Sequence, residues 1–430
     1  MPFENASPPP RRIAVIGGGI AGMSAAHRLA PHHTVALFEA EPRLGGHART
    51  LLAGKRGDQP VDTGFIVFNK VNYPHLCGLF DKLDVPVTAS NMSFGASIGG
   101  GWLEYALATL DQIFAQRSNI ASPRFLRMLR DILHFNAKAT TTVRPGMSMG
   151  DLLAALGTGP WFRDYYILPI SGAIWSTPCE GVLDFPAETL VRFFQNHALL
   201  SSTKQHQWYT VQGGSVEYVR RVEADLRRQG VDLRLGQGVA GVRRVPMGVL
   251  IRAFGGEWEL FDEVVFATHS DDTLRLLSDP SPTERAALSA VRYQPNTTIL
   301  HADTSQMPVN RKAWASWVYT EAKGPRPDRI GLTYWMNSLQ PIPKDDPLFV
   351  TLNPQRPIAE HLIHDETTFR HPVFDAAAMQ AQATIRALNG QSGTWFCGAW
   401  MRHGFHEDGI ASAVEVTEAL AARLARAEAA

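Results

Sequence analysis

The sequence predicts an α/β fold in which a parallel sheet is interleaved with a second, α+β domain. Three patterns predict it: a strand that runs straight into closely spaced glycines, a glycine pair after the next strand, and a strand, turn and helix near the end of the chain. Because these patterns lie far apart in 430 residues, the sheet has to be assembled from separate segments.

Composition limits the function before any motif is considered. The chain has 45% hydrophobic and 19% charged residues, which is ordinary for a globular protein. Lys and Arg total 41 and Asp and Glu total 41, so the overall charge does not favour a nucleic-acid partner. Cys77, Cys179 and Cys397 are widely scattered. We therefore expect neither a disulfide framework nor a thiolate metal site. The same spacing fits a protein of a reducing compartment.

Targeting patterns are weak. Residues 1–11 are polar and proline-rich and are expected to be a disordered leader. The sequence has no apolar run of the length that spans a bilayer. The expected location is the cytoplasm, with peripheral contact at the inner membrane face as the alternative.

The first element is a strand, glycine turn, helix and strand between Arg12 and Glu39. "RIAVIGGG" leads into Gly17, Gly19 and Gly22, which have the spacing of a Rossmann-type dinucleotide site. Gly17 allows a tight turn, Gly19 allows close approach of a pyrophosphate, and Gly22 allows helix and strand to pack closely. Glu39 ends the second strand, where it can accept hydrogen bonds from a ribose. Ala21 and Ala40 are predicted to contact the same nucleotide.

The next stretch, "EAEPRLGGHART", resembles the R-x-G-G-R-x-x-T signature of the flavin amine oxidase superfamily. The resemblance implies FAD, with Gly45 and Gly46 along its diphosphate and ribityl chain. His47 stands where arginine is usual and is a weaker phosphate ligand, a packing residue or a covalent flavin anchor. "VDTGFIVFN", with Gly64 and Phe65, resembles the segment that passes the flavin ring.

Two further segments complete the resemblance. Val239 matches a position that contacts adenine through its backbone. In "TWFCGAWMRHGFHEDGI", Gly398 matches the closing strand, and Asp408, Gly409 and Ile410 match backbone amides at the flavin pyrimidine edge. The usual acid after the glycine is replaced by Ala399-Trp400. The tyrosine that amine oxidases place beside the ring is also missing, which argues against ordinary amine oxidation.

The domain boundaries follow from these segments. An FAD-binding domain is predicted over 12–70, 205–270 and 385–430, and a substrate-binding domain over 71–204 and 271–384. This is an amine oxidase-like two-domain topology.

The insertions are rich in aromatic residues. An apolar substrate channel is predicted from Trp175, Tyr209, Trp317, Tyr334 and Trp335, with ordinary core packing as the alternative. Residues 123–138 repeat apolar residues at helical spacing beside arginines. This segment is either a helix that covers the core or a basic surface on anionic lipid.

A narrower resemblance rests on "AWASW", "TYWMNSLQ", "VTLNP", "RHPVFD" and the closing motif. Together these look like a bacterial branch associated with cyclopropane-type fatty-acid methyltransferases, which includes a flavin-dependent fatty-acid desaturase of furan fatty-acid synthesis. It implies oxidation of a methyl-branched, unsaturated acyl chain of a membrane lipid, with dioxygen or another electron acceptor and a methyltransferase of the same pathway. His406 is the predicted proton acceptor and Glu407 the residue that orients it. The alternative is that His406 only packs against the ring and Glu407 caps a helix.

Other functions remain open from the sequence. They are an amine, porphyrinogen or carotenoid oxidase, a flavin-assisted acyl-chain isomerase, and a non-enzymatic lipid-binding protein like the Rab GDP-dissociation inhibitors.

Overall fold

The computed structural model describes residues 10–175, 179–201, 205–326 and 328–429. Most of the predicted leader, residues 1–9, lies outside these ranges.

The strands follow one another through the whole chain. Their bounds are β1 (Arg12–Ile16), β2 (Thr34–Glu39), β3 (Thr50–Ala53), β4 (Gln59–Asp62), β5 (Phe68–Asn69), β6 (Val87–Ser90), β7 (Phe94–Ile98), β8 (Leu103–Ala106), β9 (Trp208–Val211), β10 (Asp232–Leu235), β11 (Val239–Val245), β12 (Gly248–Ala253), β13 (Trp258–Phe261), β14 (Glu263–Phe266), β15 (Arg292–His301), β16 (Trp317–Thr320), β17 (Gly331–Trp335), β18 (Phe349–Leu352), β19 (Ile363–Val373) and β20 (Thr394–Phe396).

The α-helices are distributed between them. Their bounds are α1 (Ile20–Leu29), α2 (Pro74–Lys82), α3 (Leu110–Ile113), α4 (Pro123–Thr142), α5 (Met149–Leu156), α6 (Pro160–Phe162), α7 (Leu168–Trp175), α8 (Ala187–Asn196), α9 (Val216–Arg228), α10 (Ser270–Leu276), α11 (Pro282–Ala290), α12 (Met336–Leu339), α13 (Ala376–Leu388) and α14 (His406–Ala429).

A five-stranded parallel sheet is built from three distant parts of the sequence, in the order β10-β2-β1-β14-β20. Ala14 of β1 pairs with Ala36 of β2 on one side and Val264 of β14 on the other. Alternate residues of β1 enter two different cores: Val15 packs toward α1 and α14, and Ile16 packs toward α10, α11 and α13. Helices therefore cover both faces, which explains why these strands are continuously apolar. The predicted α/β fold class is confirmed.

A seven-stranded sheet forms the second layer, in the order β19-β15-β18-β17-β16-β7-β8. Its strands are antiparallel neighbours except for β16 and β7, which run parallel. It takes β7 and β8 from the first insertion and the other five strands from the second. The domain boundaries stay predictions, and one small sheet crosses them, because β6 pairs with β9.

Helix α4 covers the core with one side. Phe125, Met128, Ile132 and Phe135 are buried in it, while Leu133 is 62% exposed. The apolar stripe predicted over 123–138 is therefore mostly core. No helix in the described ranges is long and apolar enough to cross a membrane.

Candidate flavin and substrate site

One cavity of about 440 Å³ lies where the glycine loop after β1 meets the aromatic strands of the seven-stranded sheet. Its wall contains the predicted residues Gly19, Ala21, Gly45, Gly46, His47, Gly64, Phe65, Trp175, Trp317, Tyr334, Gly398 and His406. Other predicted residues lie outside this wall: Gly17, Gly22, Glu39, Ala40, Tyr209, Val239, Trp335, Glu407, Asp408, Gly409 and Ile410.

The glycine loop is held by backbone contacts that leave no room for side chains. Gly17 has φ +104°, and a Cβ there would lie 2.9 Å from the Ala267 carbonyl oxygen. A Cβ on Gly22 would lie 1.8 Å from the carbonyl oxygen of Gly17. The loop therefore needs glycine at Gly17 for a turn and at Gly22 for close packing.

Gly19 differs, because a Cβ there would meet no protein atom within 4 Å. It lines the cavity immediately before α1, whose first backbone N–H groups have no partner inside the helix. Unfilled space bounded by helix N–H donors is what a diphosphate requires. The residues present therefore fit FAD.

Glu39 and the second glycine pair brace this loop. The Glu39 carboxylate accepts the backbone N–H groups of Gly18, at 2.6 Å, and Glu41, at 2.7 Å. Gly45 donates its N–H to the Gly18 carbonyl at 2.9 Å. The ribose contact of Glu39 stays a prediction, and the structure shows a second role in fixing the loop.

His47 lies in a cluster of imidazoles. Its ring stacks on Phe369, with centroids 4.9 Å apart, and lies 5.8 Å from the rings of both His269 and His371. Burial lowers the pKa of His47 to about 4, so the ring is neutral near pH 7. His47 thus packs inside the cluster while facing the cavity, and its part in phosphate binding stays a prediction.

Arg370 binds the acidic side chains at the start of α10. Its guanidinium donates to Asp271 and Asp272, both at 2.7 Å, and to Nδ1 of His269 at 3.1 Å. These three acceptors have the arrangement of a candidate metal site. Because Arg370 already bonds all three, the group works as an ion-pair cluster that joins β19 to α10.

His406 is held by two aromatic side chains. Its ring stacks on Phe65, with centroids 3.9 Å apart and planes 11° apart. Its Nε2 is 2.6 Å from the hydroxyl of Tyr218, a fully buried residue of α9. The pKa of His406 is lowered to about 3, chiefly by burial and to a lesser extent by the nearby His47. The ring is therefore neutral near pH 7.

The Tyr218 hydroxyl influences which nitrogen of His406 carries hydrogen. Burial raises the pKa of Tyr218 well above its usual value, so the side chain is a neutral phenol. Among the described residues, His406 is its one hydrogen-bond partner. Leaving a buried O–H unpaired costs about 1–3 kcal/mol. The hydroxyl therefore donates to Nε2 in the resting arrangement, and the hydrogen of the ring sits on Nδ1.

Glu407 does not orient His406, contrary to the prediction. Its carboxylate accepts the backbone N–H groups of His75, at 3.0 Å, and Leu76, at 2.9 Å, and so caps the N-terminus of α2. Helix geometry explains this. Glu407 follows His406 directly in α14, so the two positions are about 100° apart around the helix axis. Tyr218 takes the place predicted for Glu407.

The first turn of α14 also differs from the prediction. The Gly409 N–H is bonded to the Phe405 carbonyl at 3.2 Å, so it is not free for a cofactor. Asp408 accepts the Phe405 N–H at 2.9 Å and shapes the turn. Gly404, Phe405 and His406 form the cavity wall instead.

The aromatic wall follows strand alternation. Tyr334 lines the cavity, whereas its neighbour Trp335 packs on Trp314 with centroids 5.3 Å apart. Trp208 lines the cavity, whereas its neighbour Tyr209 packs on Phe68. Adjacent residues of a strand face opposite sides, so only one of each pair can reach the site.

Sequence reasoning missed Tyr218, His269, Arg370 and His371. The motif "RHPVFD" begins with two of them, and it indicated a resemblance without a role. Tyr218 gave no signal, because a tyrosine among apolar positions of a helix is typical of a core residue.

Comparison with known proteins agrees with this geometry. A family model described as flavin containing amine oxidoreductase matches residues 20–307. Among curated proteins, none matches the chain in sequence.

Solved structures share the fold at low identity. A cyclohexylamine oxidase from Brevibacterium oxydans has a TM-score of 0.70 and 15% identity, covering 97% of this chain and 100% of its own. A fatty acid isomerase from P. acnes that produces CLA has a TM-score of 0.69 and 14% identity, covering 96% and 99%. A protein from Exiguobacterium sp. 255-15, provisionally described as a protoporphyrinogen oxidase, has a TM-score of 0.70 and 16% identity, covering 95% and 98%.

Proposed function

The chain belongs to the family of flavin-containing amine oxidoreductases and is an FAD-dependent oxidoreductase, and from this premise we propose that its substrate is a lipid acyl chain. The acyl chain that is oxidised is methyl-branched and unsaturated. It loses a hydride and a proton to give a further double bond. A methyltransferase supplies the branch, and dioxygen is the final electron acceptor.

The observation that carries the proposal is the character of the cavity wall. Its substrate end is apolar, with Ile170, Ile174, Trp175, Phe193 and Trp317 among its residues. Within the described ranges, the wall contains neither aspartate nor glutamate. A cationic amine would lose its hydration shell there without a carboxylate to pair with, which is costly. A hydrocarbon chain gains free energy in the same space.

The proposed role of His406 is to take the proton that leaves the acyl chain. Bound FAD supplies a two-electron acceptor for the hydride. Proton uptake at Nδ1 requires the ring hydrogen to move to Nε2 and the Tyr218 hydroxyl to turn away or accept. That exchange costs about 1–3 kcal/mol, and charging a ring whose pKa is about 3 adds a further cost near pH 7, so both contribute to the reaction barrier. Phe65 keeps the ring in one plane throughout.

The experiment that tests the proposal is anaerobic titration of the yellow holoenzyme. We expect a methyl-branched, unsaturated phospholipid to bleach the flavin band at about 450 nm. A phospholipid with saturated chains, putrescine and cyclohexylamine are the controls and should leave it unchanged. Bleaching by an amine and not by the lipid would overturn the acyl assignment.

Product analysis separates desaturation from isomerisation. A desaturase yields a product two hydrogens poorer and consumes dioxygen under air. Conversion to a product of unchanged mass, with no oxygen uptake, would replace desaturation by isomerisation at the same site.

A further inference from the structure

Helix α4 exposes apolar residues on the side away from the core. Leu126 is 43% exposed and Leu133 is 62% exposed. They are seven residues apart, so they lie on one stripe of the helix. This stripe is separate from the buried one that contains Phe125 and Met128.

The rest of the exposed surface of α4 is basic. Arg124, Arg127, Arg130 and Lys138 are exposed, and Asp131 is the one acid in the helix. Asp131 is 3% exposed, and its carboxylate is taken by the N–H of Gly159 at 2.8 Å and by the two flanking arginines. The charge that α4 presents to solvent is therefore entirely positive.

Apolar exposure continues from α4 to the cavity. Ile120, just before the helix, is 54% exposed, and Leu110 of α3 is 75% exposed. Phe114, the residue directly after α3, packs on Phe125 of α4 with ring centroids 5.9 Å apart. Two residues before Leu110, Ala108 is both exposed and part of the cavity wall. The exposed apolar surface thus comes within two residues of the cavity wall.

We propose that this α3–α4 face docks on the surface of an anionic lipid bilayer. The face is defined by the exposed apolar and basic residues Leu110, Ile120, Arg124, Leu126, Arg127, Arg130, Leu133 and Lys138. Separate apolar side chains among cations match the boundary between lipid headgroups and acyl chains, and the exposed acid of α3, Asp111, is already paired with Arg117 and Lys312. The purpose of docking rests on the proposed acyl substrate, since it brings the exposed part of the cavity wall at Ala108 near the lipid.

The test is co-sedimentation of the holoenzyme with vesicles. We expect binding to vesicles of equal parts phosphatidylglycerol and phosphatidylcholine, little binding to phosphatidylcholine alone, and loss of binding at high salt. The double variant Arg124→Glu/Lys138→Glu should lower the partition coefficient at least about tenfold, since each basic residue near an anionic surface gives roughly fivefold. Leu126→Ser/Leu133→Ser should lower it by a similar factor.

Matched controls lie elsewhere on the surface. Met247 and Phe254 are each 78% exposed, so Met247→Ser/Phe254→Ser removes comparable apolar area without touching the face. Arg56→Glu reverses a charge whose side chain is 84% exposed. Both controls should bind vesicles like the parent protein.

Two results would overturn the proposal. One is absence of vesicle binding at any composition. The other is binding that the α4 variants leave unchanged, as expected if the face meets an acidic protein or if another surface binds lipid. Flavin bleaching by detergent-dispersed lipid is measured beside it and should not change in the α4 variants, so docking and the acyl assignment fail separately.

Discussion

The two ends of the cavity are built from different kinds of contact. At the glycine end, main chain touches main chain: Gly22 lies against the carbonyl of Gly17, and Gly45 bonds Gly18. At the acyl end, side chains from separate elements, such as Trp175 of α7 and Trp317 of β16, meet across an open space. The first end requires glycine at Gly17 and Gly22, whereas the shape of the second depends on each side chain that lines it.

That difference explains what the sequence could predict. Glycine spacing reports backbone geometry directly, so the turn at Gly17 and the close packing at Gly22 were both predicted correctly. The acyl end depends on which strand neighbour faces inward, so of the two predicted residues Tyr334 lines the cavity and Trp335 does not. Contacts between distant elements, such as Tyr218 with His406, leave no local pattern at all.

The largest effect is expected at the glycine end. Gly22→Ala puts a Cβ against backbone that cannot move, and overpacking of this severity exceeds the usual range of about 1–3 kcal/mol. We expect no folded, yellow protein on purification. Gly78→Ala in α2 is the control, since its Cβ would meet nothing within 4 Å. A folded, flavin-loaded Gly22→Ala protein would show that the loop is not as rigid as described.

His406 lies between the two ends and should affect the chemistry alone. We expect His406→Ala to slow flavin reduction by the acyl substrate about a hundredfold, because a positioned base contributes that much or more. Stopped-flow absorbance measures it, and a loss below about threefold would remove the base assignment. Tyr218→Phe frees Nε2 and removes the cost of the exchange that precedes proton uptake, so the rate should rise by about fivefold or more. A large loss there would mean that His406 acts as a donor through Nδ1.

A reciprocal pair of variants sharpens the comparison. Gly19→Ala fills the unfilled space beside α1 without a clash, so it should weaken FAD binding about tenfold while the urea unfolding midpoint of the apoprotein stays the same. Trp317→Ala should raise KM for the lipid and leave FAD affinity unchanged. Fluorescence titration with FAD measures the FAD affinity of both variants. Equal effects of the two variants on FAD would show that the ends are not separate.

The last effect concerns pH. Burial lowers the pKa of His371 to about 3, below its ordinary value of 6.5. The unfolded chain therefore binds more protons between these values, so stability is complete above about pH 6.5 and is lost as pH falls toward 3. We expect His371→Gln to reduce the drop in unfolding free energy between about pH 7 and about pH 5 by up to about 2 kcal/mol. Urea unfolding at saturating FAD measures the unfolding free energy at each pH. If the variant showed the same dependence of this free energy on pH, His371 would be exposed to water.

The order of the parallel sheet has a consequence for how the protein is made. Strand β1 lies between β2 and β14, and β14 pairs with β20, which a ribosome produces long after the first two strands. Until residues 394–429 have emerged, β14 has an unpaired edge and the wall at His406 is missing. The flavin site is therefore completed only after these residues have emerged and folded, when the glycine loop and the first strands already exist.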